Sequence, residues 1–411
     1  MNQPQVLKGF RDFLPQEKRA RDFVMGKFVS TFQKFGFEPI ETPTIEYKST
    51  IMGKYGEEAD KLVYSFTDNG DREVALRYDQ TVPTARFIAN NSNELSFPFR
   101  RYQTQNVFRA DKPQRGRFRE FTQCDIDIFG SADASADAEI LACTYAAFKA
   151  VGFQSIQLVV NDRQTLLSVL TPYATQDVSV FSIIQSIDKL DKLPKNEVID
   201  ELVRKGLSQV FAAKALEDLL SVNASSNLEQ IISLSQALGV DSAEIAFEPT
   251  LARGLDYYTG MIFEVRIPEY TVGSVGGGGR YDNLIEQLSG LQMTAVGMAV
   301  GFDRTVEAAT QFGLIPATQD DQRVLVTVFD ESLVGESARI AFQLRTQGIS
   351  VELYPKYVKL EKQFKYADKK GIRYCAVIGS QEVESGTVVI KDLRNGEQQT
   401  VRQNEMNSYF R

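Results

Sequence analysis

The sequence predicts an α+β domain with an antiparallel sheet and a helical insertion, followed by a smaller α/β domain. Strand-like alternation occurs before residue 130 and returns near residue 261, whereas helix-like periodicity fills residues 166–246 between them. After residue 323, strand and helix patterns alternate. The length of 411 residues agrees with two or three domains at about 150 residues per domain.

Composition indicates a globular chain, since 43% of the residues are hydrophobic and 24% are charged. No segment approaches the roughly 18 consecutive apolar residues of a membrane helix. The first five residues, Met1–Gln5, lack the basic and then apolar layout of a signal peptide. We therefore expect a cytoplasmic protein that does not contact a membrane.

The sequence contains no histidine, which excludes a histidine base, a Ser-His or Cys-His nucleophile and an imidazole metal ligand. Its three cysteines are odd in number and far apart, as is typical of reduced thiols. The sequence thus predicts no metal site formed by the protein. Chemistry must depend on carboxylates, arginines, lysines, tyrosines or the substrate itself. A net charge of −8 argues against a uniformly basic nucleic-acid binder but allows a local basic surface.

The first elements follow from local patterns. Pro15 begins a predicted helix in which aromatic and aliphatic residues recur at helical spacing. Alternation predicts a strand over 73–78 and another through 106–109.

Residues 118–129 form the most informative strand. One face carries Arg119, Phe121, Gln123, Asp125 and Asp127, whereas the other carries Cys124, Ile126 and Ile128. A polar front on an apolar back could be the floor of a polar pocket. The alternation alone is more typical of a solvated sheet face.

Four helices are predicted within the insertion, over 181–187, 196–205, 211–220 and 228–238. A strand at 261–267 and a glycine run at 276–279 follow it.

A polar segment, 316–322, begins with proline and marks a domain boundary. Beyond it we predict a small domain with a mostly parallel sheet. Its elements are strands at 324–329, 350–354 and 374–378, a helix over 333–347, a lysine-rich helix and a hairpin that turns at Asn395-Gly396.

Three clusters could carry chemistry. The loop 109–119 is dense in arginine, which matches phosphate oxygens bidentately, although it could also be a solvated hairpin. Segment 251–260 places Arg253 beside Gly254 and contains the paired tyrosines Tyr257 and Tyr258, which are more often core residues. The glycine-rich stretches 273–282 and 296–304 fit neither a P-loop nor a dinucleotide-binding fingerprint.

Taken in this order, the clusters resemble the histidyl-tRNA synthetase family, which belongs to the class II aminoacyl-tRNA synthetases. Residues 109–129 are similar to the second class II motif, and residues 295–304 to the third. Segments 252–258 and 276–282 resemble the two histidine-specific signatures, while 7–12 and 76–83 add further matches. Gln80 and Asp303 depart from the residues common in the family, as does the extra glycine within 276–279.

The resemblance implies an ATP-dependent ligation of L-histidine to its tRNA through histidyl-adenylate. Residues 1–318 would be the catalytic domain, with the insertion at about 166–246, and residues 323–411 an anticodon-binding domain. In the family's roles, Arg109 would hold the α-phosphate and Arg253 would approach it from the opposite side, as the two catalytic residues. Asp111, Arg117 and Arg304 would bind ATP with Arg109, and Mg²⁺ would accompany the outer phosphates.

The positions that match the family's histidine site are Asp79, Thr81, Gln123, Asp127, Tyr257, Tyr258 and Tyr281. Asp79 and Gln123 suit an ammonium group, whereas Asp127 and a tyrosine suit an imidazole N–H. Gln123 and Asp127 are four strand residues apart, or roughly 13 Å, which is longer than free histidine. Both can contact the substrate only if the side chains lean inward or a bulge shortens the strand.

The resemblance also implies histidine tRNA as a partner and a homodimer that pairs near residues 20–50. Lys359, Lys362, Lys365 and Lys369 could share a helix face that meets RNA phosphates, or simply a solvated face. Two alternatives are a regulatory paralogue of amino-acid biosynthesis and a tRNA-binding pseudo-synthetase. The presence of all three phosphate-binding arginines and of the C-terminal domain favours the enzyme.

Overall fold

A computed structural model describes residues 3–53, 60–114, 116–252, 257–316 and 323–410. The chain divides into two compact units, Met1–Ile315 and Pro316–Arg411.

The described strands of the first unit form two sheets. They are β1 (Glu38–Pro39), β2 (Ile45–Tyr47), β3 (Ser65–Thr67), β4 (Glu73–Leu76), β5 (Phe99–Phe108), β6 (Glu120–Phe129), β7 (Gln157–Asp162), β8 (Ile245–Phe247), β9 (Met261–Arg266), β10 (Gly276–Arg280) and β11 (Ala295–Gly301). The larger sheet has the order β1-β5-β6-β11-β10-β9-β7-β8, and the smaller has the order β2-β4-β3. From β5 to β7 all neighbours in the larger sheet are antiparallel, whereas its edge strands β1 and β8 pair in parallel.

Helices of this unit cover the sheet or form the insertion. Those that flank the sheet are α1 (Pro15–Lys34), α2 (Lys48–Ile51), α3 (Thr81–Asn91), α4 (Ala134–Val151), α10 (Leu284–Ser289) and α11 (Phe302–Gln311). Those between β7 and β8 are α5 (Arg163–Leu170), α6 (Val180–Ile187), α7 (Lys195–Lys205), α8 (Gln209–Ser221) and α9 (Ser226–Ala237). The helix predicted from Pro15 and the four predicted in the insertion are therefore present.

The core of the unit lies behind the large sheet. Cys124, Ile126 and Ile128 on the back of β6 pack in one cluster with the buried faces of α1 and α4. Phe28 of α1 meets Phe148 of α4 edge to face at 5.2 Å between ring centroids. This packing leaves the opposite face of the sheet to carry polar groups.

All three cysteines, Cys124, Cys143 and Cys375, are free and buried. Burial raises the pKa of the Cys375 thiol to about 12 and raises the pKa values of the other two well above the ordinary range. Each thiol is therefore protonated and inert at neutral pH.

The insertion helices have a simple local origin. Ser179, Ser208 and Ser225 each accept a hydrogen bond from the backbone N–H three residues later, which caps α6, α8 and α9. Apolar residues of the insertion helices, such as Leu202 of α7 and Leu219 of α8, form a second core cluster with parts of β9 and α3.

The described elements of the second unit are β12 (Val324–Val326), α12 (Val334–Thr346), β13 (Val351–Leu353), α13 (Leu360–Lys369), β14 (Tyr374–Val377), α14 (Ser380–Ser385), β15 (Thr387–Asp392), β16 (Gln398–Arg402) and α15 (Met406–Tyr409). These strands form a sheet in the order β13-β12-β14-β15-β16. The expectation of a mostly parallel sheet is wrong, because β12 pairs in parallel with β13 and β14 while β15 pairs antiparallel with β14 and β16. The C-terminal hairpin adds these antiparallel pairs, and it turns at the predicted position, where Gly396 has a φ of +76°.

Within the described ranges, no helix combines the length and the hydropathy that crossing a lipid bilayer requires.

Candidate active site

Polar side chains of β6 form the floor of the site. Gln123, Asp125 and Asp127 are only 7%, 1% and 3% exposed, so the interpretation of this face as solvated is wrong. Strands β5 and β6 pair through ten consecutive residues, in register from Phe99↔Phe129 to Phe108↔Glu120. This continuous register leaves no room for the bulge that would bring Gln123 and Asp127 together.

Strand β11 supplies small residues on the other side of β6. Gly297, Ala299 and Gly301 lie opposite Asp127, Asp125 and Gln123, respectively. A Cβ atom added to Gly297 would lie 1.7 Å from Oδ1 of Asp127. The Asp127 carboxylate thus occupies the space that any side chain at position 297 would need.

The glycine run is a buried central strand of the sheet. A Cβ added to Gly278 would lie 1.9 Å from the carbonyl oxygen of Gly297 on β11, and Gly279 has a φ of +159°. Glycine is therefore required at these positions, because the backbones of β10 and β11 approach each other too closely for a side chain.

Asp127 lies between a cation and a hydroxyl donor. The guanidinium of Arg101, on β5 directly opposite, forms an ion pair with it, and the Tyr281 hydroxyl donates a hydrogen bond to Oδ1. Burial raises the pKa of Asp127 to about 6, with Asp79 contributing in the same direction, while Arg101 and the Tyr281 hydrogen bond lower it. Arg101 itself is completely buried.

Tyrosines enclose this end of the floor. The ring centroid of Tyr257 lies 4.9 Å from that of Tyr258 and 5.8 Å from that of Tyr281. The Tyr257 hydroxyl interacts with Thr81, and nearby Asp79 contributes to raising the pKa of this tyrosine after the larger effect of burial. Six of the predicted histidine-binding residues thus converge, and Gln123 extends the set along the floor.

The position of Tyr281 is fixed by the contacts of its sequence neighbours Arg280 and Asp282. Arg280 pairs with the buried carboxylate of Asp137 on α4, and its Nη1 donates to Oδ1 of Asp282 at 3.2 Å. The backbone N–H of Tyr281 donates to the carbonyl of Ala295 on β11 at 2.7 Å. The tyrosine hydroxyl is therefore held at Asp127 by both strand pairing and charge.

Gln80, which departs from the family pattern, is completely buried and holds the same region together. Its side-chain amide donates to the carbonyl oxygens of Gln105 and Gln123, both at 3.0 Å. Next to it, the Asp79 carboxylate accepts a hydrogen bond from the N–H of Val82 at 3.1 Å. The first turn of α3 is thereby tied to the floor.

Arg109 lies at the far end of the floor. Its guanidinium is 4.3 Å from the ring centroid of Tyr78 and 5.2 Å from that of Phe121, and its Nε donates to the Tyr78 carbonyl at 3.0 Å. Packing between two rings fixes the guanidinium plane and leaves its other N–H donors for a ligand.

Arg304 lies against the basic loop. Its Nε donates to the carbonyl of Gly116 at 3.3 Å and its Nη1 to the carbonyl of Ser274 at 3.0 Å. In the same loop, Nη1 of Arg117 lies 3.8 Å from Oδ1 of Asp111. The loop that begins at Arg109 thus also contacts Arg304.

The start of α11 is locked by Asp303. Its Oδ1 lies 2.5 Å from guanidinium nitrogens of both Arg11 and Arg21, and its Oδ2 accepts the N–H of Thr122 at 3.1 Å. Asp303 stands where glutamate is common in the family, and these contacts still hold it in place directly before Arg304.

Arg253 lies outside the described residues, so its predicted place beside the α-phosphate stays a prediction. Sequence reasoning missed Arg101, and it named Asp125 on the polar face without a role. The register of the predicted hairpin could have identified Arg101. If Arg109 and Arg119 close the loop, counting back along both strands places residues 101 and 127 opposite each other.

Comparison with known proteins agrees with this geometry. The family profile for histidyl-tRNA synthetase matches residues 9–305, and that for the anticodon binding domain matches residues 311–411. The histidine–tRNA ligase of Wolinella succinogenes is 39% identical, with 96% of this chain and 95% of the relative covered. The one from Cytophaga hutchinsonii is 37% identical, with 97% of each covered.

Among solved structures, the histidyl-tRNA synthetase of Nostoc sp. PCC 7120 superposes with a TM-score of 0.85 at 29% identity, covering 100% of this chain and 99% of that one. The relatives cover both units of the chain and the whole of the polar sheet face. The chain therefore belongs to the histidyl-tRNA synthetase family, with a class II catalytic domain followed by an anticodon-binding domain.

Proposed function

We propose that the polar face of β5, β6 and β11 is where this ligase activates histidine with ATP. The observation that carries this proposal is that six predicted histidine-binding residues converge around Asp127, while Arg109 lies at the other end of the same strand pair. The activity is the ATP-dependent attachment of histidine to tRNA, as in the family. The role of each residue in this reaction is what we propose.

Histidine would be selected at the Asp127 end. An ionised Asp127 accepts an imidazole N–H, and the Tyr281 hydroxyl fixes the orientation of the carboxylate. The rings of Tyr257 and Tyr258 provide flat walls, and Asp79, Thr81 and Gln123 would receive the amino group. Asp127 is buried, and without the substrate only Arg101 and Tyr281 among the described residues pair with it. A substrate with no N–H to donate would therefore forgo a hydrogen bond to a buried carboxylate, which is a basis for selection.

Adenylate formation needs no nucleophile from the protein. The carboxylate of histidine attacks the α-phosphorus, the P–O bond to pyrophosphate breaks, and pyrophosphate leaves. The protein's task is to align the two reactants and to stabilise the negative charge that builds up on the phosphate. Arg109 would do so at the α-phosphate together with Arg253, while Arg304, Arg117 and Asp111 hold the rest of the nucleotide.

We also propose that Mg²⁺ arrives with ATP and neutralises its outer phosphates. Among the described residues, no three side chains of the Cys, Asp and Glu types converge as a metal site. Mg²⁺ usually binds nucleotides mainly through phosphate oxygens, so the ion would need few ligands from the protein.

In the second unit, we propose that the lysine face of α13 meets tRNA phosphates. Lys359, Lys362, Lys365 and Lys369 are all exposed, and Lys365 also pairs with Glu361 at 2.7 Å. From the family we further propose a homodimer that acts in the cytoplasm. Residues 1–318 would catalyse, and residues 323–411 would bind the anticodon.

One pair of assays tests the function against its alternatives. We expect histidine-dependent exchange of labelled pyrophosphate into ATP, followed by charging of histidine tRNA. A regulatory paralogue would do neither, and a pseudo-synthetase would bind tRNA without exchange. In the same assays, undiminished exchange by Arg253→Ala would contradict the role of that arginine.

The pH dependence of histidine use should report Asp127. Because its pKa of about 6 lies above the ordinary value of 3.8, the folded protein binds this proton more tightly than the unfolded chain does, and ionisation lowers stability as the pH rises between these values. Activity has the opposite trend, because only the carboxylate accepts the imidazole proton.

We therefore expect the advantage of the wild type over Asp127→Asn in kcat/KM for histidine to shrink as the pH falls through about 6. The substrate imidazole titrates near 6.5, so the two proteins are compared at each pH with the same mixture of its two forms. A ratio that stays constant from about pH 5 to about pH 8 would contradict the role given to Asp127.

A further inference from the structure

The floor of the site contains buried acceptors that no described residue satisfies. Within the described ranges, both carboxyl oxygens of Asp125, Oε1 of Gln123 and Oε1 of Gln80 have no hydrogen-bond partner. Asp125 is 1% exposed and Gln80 is completely buried. Leaving such atoms unpaired is costly, so a concentration of them in one place points to donors that arrive with a ligand.

Asp125 is central to this group. It lies midway between Gln123 and Asp127 on the same face of β6, and its cross-strand neighbours are Gln103 on β5 and Ala299 on β11. The Gln103 amide nitrogen donates instead to Thr42 and Gln105. Ala299 is only partly buried and too small to cover the carboxyl.

The charges around Asp125 also favour a cationic ligand. The groups that act on its carboxyl are Arg101 from β5, Asp127 from β6, Asp79 from the start of α3 and Arg109 from the end of β5. Burial, together with the two other carboxylates, raises the pKa of Asp125 well above its ordinary range despite the arginines. A cation placed against this carboxyl would offset the repulsion among the three acids.

The position of Asp125 also explains how one histidine can contact this floor, although Gln123 and Asp127 are farther apart than the length of free histidine. These two residues are about 13 Å apart along an unbroken strand, whereas Asp125 is only about 6.6 Å from each. A histidine whose imidazole meets Asp127 therefore brings its ammonium group to the middle of the floor.

We propose that Asp125 is a direct ligand of the α-ammonium group of the substrate, acting between Asp79 and Gln123. The inference rests on the proposed placement of the imidazole at Asp127. In this arrangement the three N–H donors of the ammonium group match three acceptors that have no hydrogen-bond partner among the described residues: both carboxyl oxygens of Asp125 and Oε1 of Gln123. The carboxyl oxygens of Asp125 thus contribute to selection of an α-amino acid over other imidazole compounds.

Competitive inhibition of pyrophosphate exchange tests the proposal with two substrate fragments. L-histidinol keeps the imidazole and the ammonium but lacks the carboxylate, whereas imidazolepropionate lacks the ammonium. We expect Asp125→Asn, which keeps the shape of the side chain, to raise the KM for histidine and the inhibition constant of histidinol by about ten- to a hundredfold. Its effect on imidazolepropionate should stay within about threefold, since no charge-assisted bond to an ammonium is lost.

Two further variants make every outcome decisive. Asp127→Asn should weaken the binding of both fragments, and if it leaves either unchanged, the proposed placement of histidine itself is wrong. If Asp127→Asn weakens both while Asp125→Asn does not weaken histidinol more than imidazolepropionate, Asp125 is not an ammonium ligand. Asp241→Asn, an exposed aspartate that caps the turn before β8, serves as the matched surface control and should change neither constant.

Discussion

Replacing Arg109 by alanine is expected to lower the rate of histidine-dependent pyrophosphate exchange by about a hundred- to a thousandfold, the usual effect of removing one preorganised donor from a developing oxyanion. The reason is geometric. Tyr78 and Phe121 hold the guanidinium in place before ATP binds, so its stabilising effect on the α-phosphate requires little reorganisation. The loss should fall on kcat more than on the KM for histidine, because the histidine pocket is centred on Asp127.

Two substitutions control this experiment. Arg109→Lys keeps the positive charge but not the flat, two-pronged donor, so it should recover only part of the rate. Arg100→Ala removes a guanidinium from β5, the strand that ends directly before Arg109. Arg100 pairs with Glu139 of α4 at 3.2 Å, on the other face of the sheet. Exchange by Arg100→Ala should stay within about twofold of the wild type. Equal losses in Arg109→Ala and Arg100→Ala would mean that the arginines act only on stability.

Gly297→Ala should raise the KM for histidine strongly and lower kcat/KM by about a hundredfold, because a methyl group displaces Asp127 from its position. The added carbon would lie 1.7 Å from Oδ1 of Asp127 and 2.8 Å from the carbonyl of Ile126, and the backbone cannot yield without breaking the pairing of β6 with β11. The Asp127 carboxylate must therefore move away from Tyr281 and Arg101.

The matched control is Gly335→Ala in α12 of the second unit, where an added Cβ meets no atom within 4 Å. This change should leave the kinetics unaltered and stabilise the helix by up to about 1 kcal/mol. Thermal unfolding of both variants, followed separately from activity, shows whether Gly297→Ala is still folded. A folded Gly297→Ala protein with an unchanged KM for histidine would contradict the placement of the substrate at Asp127.

Part of this site could be predicted from sequence because its physical causes are local. The alternation in β6 separates an apolar back from a polar front whatever the partner strands are. Helical spacing likewise predicts the insertion helices without knowledge of the sheet. The assignment of roles to Asp79, Arg109 and Arg304 came from resemblance to a family, not from these patterns.

Other features depend on contacts between distant segments. Strand β10 has no side chains over Gly276–Gly279 to show a period, so only its neighbours reveal it as a central strand. The roles of Arg101 and Gly297 require the register of three strands at once. Strand direction in the C-terminal sheet could not be derived from alternation either, since parallel and antiparallel strands share the same two-residue period.

The most direct test of the account is a crystal structure of the protein bound to a non-hydrolysable analogue of histidyl-adenylate. We predict that an imidazole nitrogen lies within hydrogen-bonding distance of the Asp127 carboxylate and that the group replacing the α-phosphate contacts the Arg109 guanidinium. An analogue bound away from this sheet face, or bound in the reverse orientation with its adenine at Asp127, would contradict it.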